Sequence, residues 1–183
     1  SLMYLLVAIG QYYTWKGKHT QGFEYAEKSV YLGEKIKDVA TVVLNATQFF
    51  YASFYTGDFP KFVSMASKAI KLIEQTKREA DFFGRPANSY SWLHGAKGIA
   101  MGLLGKFNEG KSLCEKGLQH AIKINDHLTI AMSEINYSVL FCHKGDGMPA
   151  LKHAKEAVIL SEKKSSIPSL MGLNCCALGW SYL

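Results

Sequence analysis

Four glycines, Gly17, Gly57, Gly105 and Gly145, each head the same arrangement of residues, and this internal repetition constrains the chain more than any other feature. After Gly17 come Gly22, Ala26, Ser29 and Leu32, at offsets of 5, 9, 12 and 15. Phe62, Ala66, Ala69 and Leu72 follow Gly57 at those offsets, as Gly110, Cys114, Gly117 and His120 follow Gly105, and Ala150, Ala154, Ala157 and Leu160 follow Gly145. Successive glycines lie 40, 48 and 40 residues apart, so the period is close to 40 with one insertion of 8. The insertion falls in QTKREADFFGRPANSYS, where a helix ending near Phe82 or Phe83 meets Gly84, Arg85 and Pro86 and cannot continue. One array covering 1–183 accounts for the frame resuming beyond it; a linker between two domains is the rival reading.

Each unit reads as two helices, and no strand alternation competes. The helix before each glycine is nearly free of charge and rich in aromatics, as in LMYLLVAIGQYYTW and TVVLNATQFFYASFY. The helix after it is amphipathic: Phe62, Ala66, Ala69, Ile70 and Ile73 recur at helical spacing. Cap-type residues stand at the expected starts, with Asp58 before Pro60, Asn108 before Glu109, Asp126 ahead of Leu128 and Asp146 before Pro149. Small side chains at offsets 9 and 12 have a physical reason. A large group at Ala66 or Ala154 would hold the two helices of a pair apart and forfeit their contacts.

In this pattern of Gly, Ala and aromatic positions the chain resembles the tetratricopeptide repeat (TPR) family, most closely in GDFPKFVSMASKAIKL and GKFNEGKSLCEKGLQHA, with Phe59 and Phe107 at the aromatic position after the turn. Small residues seven before the turn, Gly10, Gly98, Ser138 and, at its expected place, Gly179, fit as well; Phe50 departs, which predicts a splayed second pair. The long period is similar to that of the C-terminal arrays of bacterial signalling ATPases, transcription activators and nucleotidyl cyclases. The resemblance implies an all-α, right-handed superhelix of about four helix pairs, 2–37, 39–83, 88–125 and 126–164, with a partial one at 166–183. No polar capping element is visible at either end, so a piece of a longer protein is expected.

Charge and motifs exclude more than they assign. Lys and Arg number 21 against 15 Asp and Glu, a net +6, but the lysines are spread evenly and interleaved with glutamates, which reads as a solvated helical face and disfavours nucleic acid. Uncharged runs at Val39–Gly57 and Ser165–Leu183 carry Asn45, Thr47, Gln48, Ser53, Asn174 and Ser181, groups that are costly against lipid, so no membrane span is expected. The 4 Cys include no CxxC motif, which points to a reducing, cytoplasmic setting. Cys175 and Cys176 read as small core residues. GLLGKF lacks the first glycine and the Ser or Thr of a nucleotide loop, and Gly95, Gly98, Gly102 and Gly105 read as one tightly packed helix face. No residue set announces a reaction, a metal or a cofactor, and NAT and NYS, glycosylation acceptors by pattern, lie mid-helix.

If the family's frame holds, the helices before the turns line a concave groove with Tyr4, Gln11 and Trp15, then Tyr51, Phe54 and Tyr55, then Trp92 and Ile99, and finally Val139 and His143. That surface is suited to a protein or peptide partner, or to another domain of the same chain, with about half of it packing on neighbouring helices. Only Asn136 stands where the family's carboxylate-clamp members bind a terminal carboxylate, which disfavours acidic chaperone tails. The expectation is a noncatalytic scaffold, with self-association open. A module sensing a small effector is the alternative, and an RNA-binding array, whose affinity would fall steeply with salt, ranks below both.

Overall fold

The structure, a computed structural model, describes residues 2–35, 38–164 and 168–182; the repeat boundaries placed at 37 and 166 lie outside them. Among the described residues are nine α-helices and no strand. They group into two compact units, 1–79 and 80–183, whose boundary falls inside the insertion. The first unit holds α1 (Leu2–Trp15), α2 (His19–Lys35), α3 (Val39–Thr56) and α4 (Phe59–Gln75). The second holds α5 (Ser89–Leu103), α6 (Phe107–Lys123), α7 (His127–Lys144), α8 (Gly147–Lys164) and α9 (Pro168–Ser181).

The repeat glycines sit at equivalent bends. Gly17, Gly57, Gly105 and Gly145 have φ of 75, 73, 80 and 77°, in the left-handed region that only glycine enters cheaply. After three of them the next amide closes the same long bond: Lys18 N–H to the Tyr13 carbonyl, Lys106 N–H to Met101 and Asp146 N–H to Phe141, at 2.9, 2.8 and 3.0 Å. The second helices then end at Lys35, Gln75, Lys123 and Lys164, which are 18, 18, 18 and 19 residues past their glycines. Helix α4 therefore stops at Gln75, well short of the Phe82 or Phe83 expected. Its stop has no glycine or proline: Lys77 itself adopts φ 54°, and Arg78 N–H bonds the Ile73 carbonyl at 3.1 Å. Asp58 and Asp126 cap α4 and α7, accepting from the amides of Lys61 and Thr129. Asn108 is not a cap; α6 begins at Phe107, two residues before the start expected at Glu109, after Lys106, which offers no side-chain acceptor.

Packing explains the small residues. Ala26, Ser29, Ala66, Ala69, Cys114, Ala150, Ala154 and Ala157 are all buried. Between α5 and α6 the approach is backbone on backbone: a Cβ on Gly98 would lie 2.7 Å from the Gly110 carbonyl oxygen, and one on Gly110 would lie 2.6 Å from that of Gly98. Gly10 and Gly22 repeat this reciprocal contact between α1 and α2 at 3.0 Å. In the second pair the same two places hold Phe50 and Phe62, whose rings meet edge-on with centroids 5.2 Å apart. Rings thus replace bare backbone where the sequence departs from the pattern. Phe62 is fully buried, a contribution of about 2 kcal/mol. A polar thread ties three helices of this unit, with Asn45 Nδ2 donating to Ser29 Oγ at 2.9 Å and Ser29 Oγ to the Met3 carbonyl at 3.1 Å. No helix among the described residues is long and apolar enough to cross a membrane.

Candidate functional site

Three of the residues expected in the groove lie exposed on α3. Tyr51, Phe54 and Tyr55 are 47, 45 and 67% exposed on the last turns of a helix that carries no charge, and Trp15, at the end of α1, is 78% exposed. Tyr55 stacks on His19 at 4.2 Å between centroids, and Phe54 packs edge-on to Phe59 at 5.4 Å, so two of these rings are supported from α2 and α4. Gln11 is half-buried, and the Tyr4 side chain lies outside the described residues.

In the second unit the expected groove positions are mostly interior. Trp92 and Ile99 are buried, a correction with a clear cause: α5 is covered along nearly its whole length, with Gly95 against Asn136 of α7 and Gly98 against Cys114 of α6, and Arg85 lies over the Trp92 ring at 5.0 Å. Val139 packs beside the cluster of Ala131, Ile135, Ala157 and Ala177, and His143 meets Trp180 of α9 edge-on at 4.9 Å. Helix α9 docks through Ala177 and Ser181, and Cys175 and Cys176 lie off that face and are exposed, not core as expected. Cys114, by contrast, is buried, and burial first, with the Glu115 charge second, pushes its thiol up to about 12.

Desolvation holds His143 below the ordinary imidazole value. The unfolded chain therefore takes up this proton more readily than the folded one, and the stability held by the neutral ring is lost as pH falls through its unfolded pKa of about 6.5. Thermal unfolding followed by circular dichroism should show a falling midpoint on acidification from pH ~7.5 to ~5.5, and a smaller fall for His143→Asn. Equal falls would remove His143 from the account.

A second feature was not read from the sequence. The N-terminal halves of α6 and α8 and the end of α7 enclose a cleft of about 730 Å³, lined among others by Lys111, Glu115, Tyr137, Lys144, Lys152 and His153. Along its lining the Tyr137 hydroxyl donates to Glu115 Oε2 at 2.6 Å, while Gln119 Nε2 donates to Glu115 Oε1 at 2.8 Å. These two bonds, the phenol's first, hold the Glu115 carboxyl below its usual range; burial and Glu115 raise the Tyr137 phenol far above its own. The Tyr137 ring stacks on His153 at 4.4 Å and 12°, and His153 Nδ1 pairs with Glu134 Oε2 at 2.6 Å. Residues 19 and 22 apart make these pairs, a separation no local motif reports. Glu115 of α6, ten residues past its turn glycine, and His153 of α8, eight past its own, meet on the Tyr137 side chain of α7, the helix packed against both.

Among solved structures, the chain is similar to the crystal structure of BtubC (BKLC) from P. vanneervenii, with a TM-score of 0.73 at 12% identity over 97% of this chain and 70% of that one. The all-α fold has a solved precedent. At that identity the likeness is one of fold alone. No family model and no curated protein matches the chain.

Proposed function

We propose that the chain is a TPR-type, noncatalytic binding module that takes a peptide, a helix or another domain of its own polypeptide on the aromatic face of α3. The observation that carries this is the exposure of Tyr51, Phe54 and Tyr55 on a charge-free helix, together with that of Trp15 in the same unit. Large aromatic side chains on a stiff helix give much contact area for little lost conformational freedom, which is why such rings dominate binding energy at protein interfaces. Open to water, they represent unrecovered hydrophobic free energy that a partner would recover.

A peptide selected on the wild-type chain from a displayed random library, then titrated by calorimetry, tests the reading. Tyr51→Ala/Tyr55→Ala should weaken it by tenfold or more, on the order of 1.4 kcal/mol, with the helical circular dichroism unchanged. Equal affinity for the wild type and a folded double variant would place the binding surface elsewhere.

A further inference from the structure

Lys111 and Lys152 line the cleft from α6 and α8, and among the described residues neither lies within ion-pair distance of a carboxylate, although the Lys111 charge acts on Glu115 one turn away. The other charges there are already engaged. Lys144 pairs with Asp146 at 3.6 Å, and the Glu115 carboxylate receives Tyr137 and Gln119. Three lysines face two carboxylates, so the lining is net positive. Asn108 adds an amide, and Met148, 79% exposed, lies with Pro149 at the same opening as an apolar wall. The volume falls within the range of about 300–1,000 Å³ of small-ligand sites.

We propose that this cleft binds a small organic anion, its phosphate or carboxylate drawn by Lys111 and Lys152 and its apolar portion laid against Met148 and Pro149. Coulomb attraction in a partly enclosed cleft exceeds that on an open face, because less water screens it. Methionine suits the apolar part, since its flexible thioether adapts to ligands of varied shape. An extended acidic chain fits less well. Along α6 the signs alternate through Glu109, Lys111, Glu115 and Lys116, so a long anionic segment would meet carboxylates as often as ammonium groups. Three lining residues join three helices through the Tyr137–Glu115 bond and the Tyr137–His153 stack, so an occupant bears on α6, α7 and α8 together. The site is separate from the α3 face, and either can fail while the other stands.

The test is an amide-resolved NMR titration of the whole chain at low salt with phenyl phosphate and, separately, phenylacetate. At least one should give saturable shifts confined to residues 108–115 and 137–153. Lys111→Gln/Lys152→Gln, both exposed positions, should weaken binding about tenfold or more while the spectrum otherwise persists. Met148→Ala should weaken phenyl phosphate but leave inorganic phosphate unchanged. No saturation by either probe at roughly 10 mM, a concentration that would reveal even millimolar affinity, would overturn the proposal. So would shifts spread over every lysine-bearing helix, or a double variant that titrates like the wild type. Saturation of the same amides by a peptide of alternating Glu and Asp, with both small probes silent, would overturn it in favour of a peptide site.

Discussion

Alanine at Gly98 is expected to destabilise residues 80–183 by about 2 kcal/mol and to lower their thermal midpoint by roughly 10 °C. The added methyl would lie 2.7 Å from the Gly110 carbonyl oxygen and 2.6 Å from Cys114 Sγ. The Gly110 carbonyl and the Cys114 amide nitrogen, 3.2 Å away, belong to the backbone of α6 and cannot turn aside as a side chain can, so α6 as a whole has to shift. On helix propensity alone the same substitution would stabilise by about 1 kcal/mol, so the sign of the result separates packing from propensity. Gly179→Ala is the control, because its new methyl would meet nothing within 4 Å and the change should be neutral or stabilising. Gly110→Ala should behave like Gly98→Ala, and the double variant should cost less than their sum, since both remove one contact. Stabilisation by Gly98→Ala in thermal or urea unfolding would mean that α5 and α6 do not approach as closely as described.

Tyr137→Ala is expected to cost more, about 3–5 kcal/mol, a large part of the 5–15 kcal/mol typical of a domain. Tyr137 is 2% exposed, and its ring contacts Phe141 as well as His153. Tyr137→Phe keeps the stack and removes the hydroxyl's bonds to Glu115 and to the Lys111 carbonyl, at a cost of about 1 kcal/mol, because the carboxylate stays accessible to water. Glu115 supplies a second readout. Its depressed pKa means that the phenol's contribution is present at neutral pH and is lost as pH falls through the folded-state value. In the Phe variant the Glu115 carboxyl, followed by side-chain NMR, should titrate higher. An unchanged titration would show that Gln119 and the nearby cations hold it low without the phenol.

The bends were legible because left-handed backbone leaves glycine as the economical choice, and four such bends at one spacing leave little else to explain them. The small residues were legible for a related reason: close approach forbids volume, and the ban recurs with the period. Where the chain solves a problem with an ordinary residue, the signal disappears. Lys77 ends α4 in a conformation its type does not advertise, and α6 starts behind Lys106 without a cap, which shifted one boundary by several residues and the other by two. The aromatic face was half legible, since composition says that a helix is apolar on several sides but not which of them another helix covers. Trp92 and Tyr55 look alike in sequence, yet one is buried and the other exposed. The cleft was illegible because its members come from three helices and each, taken alone, reads as surface charge or core.

The placement of the thiols sets a condition on work with this protein. Cys114 is sealed by burial, but Cys175 and Cys176 face water side by side on α9. Two accessible sulfurs on each molecule are enough to link copies into chains under air, without any complementary surface. Species larger than a monomer count as assembly through a recognition surface only when they persist in a reductant or after both thiols have been alkylated.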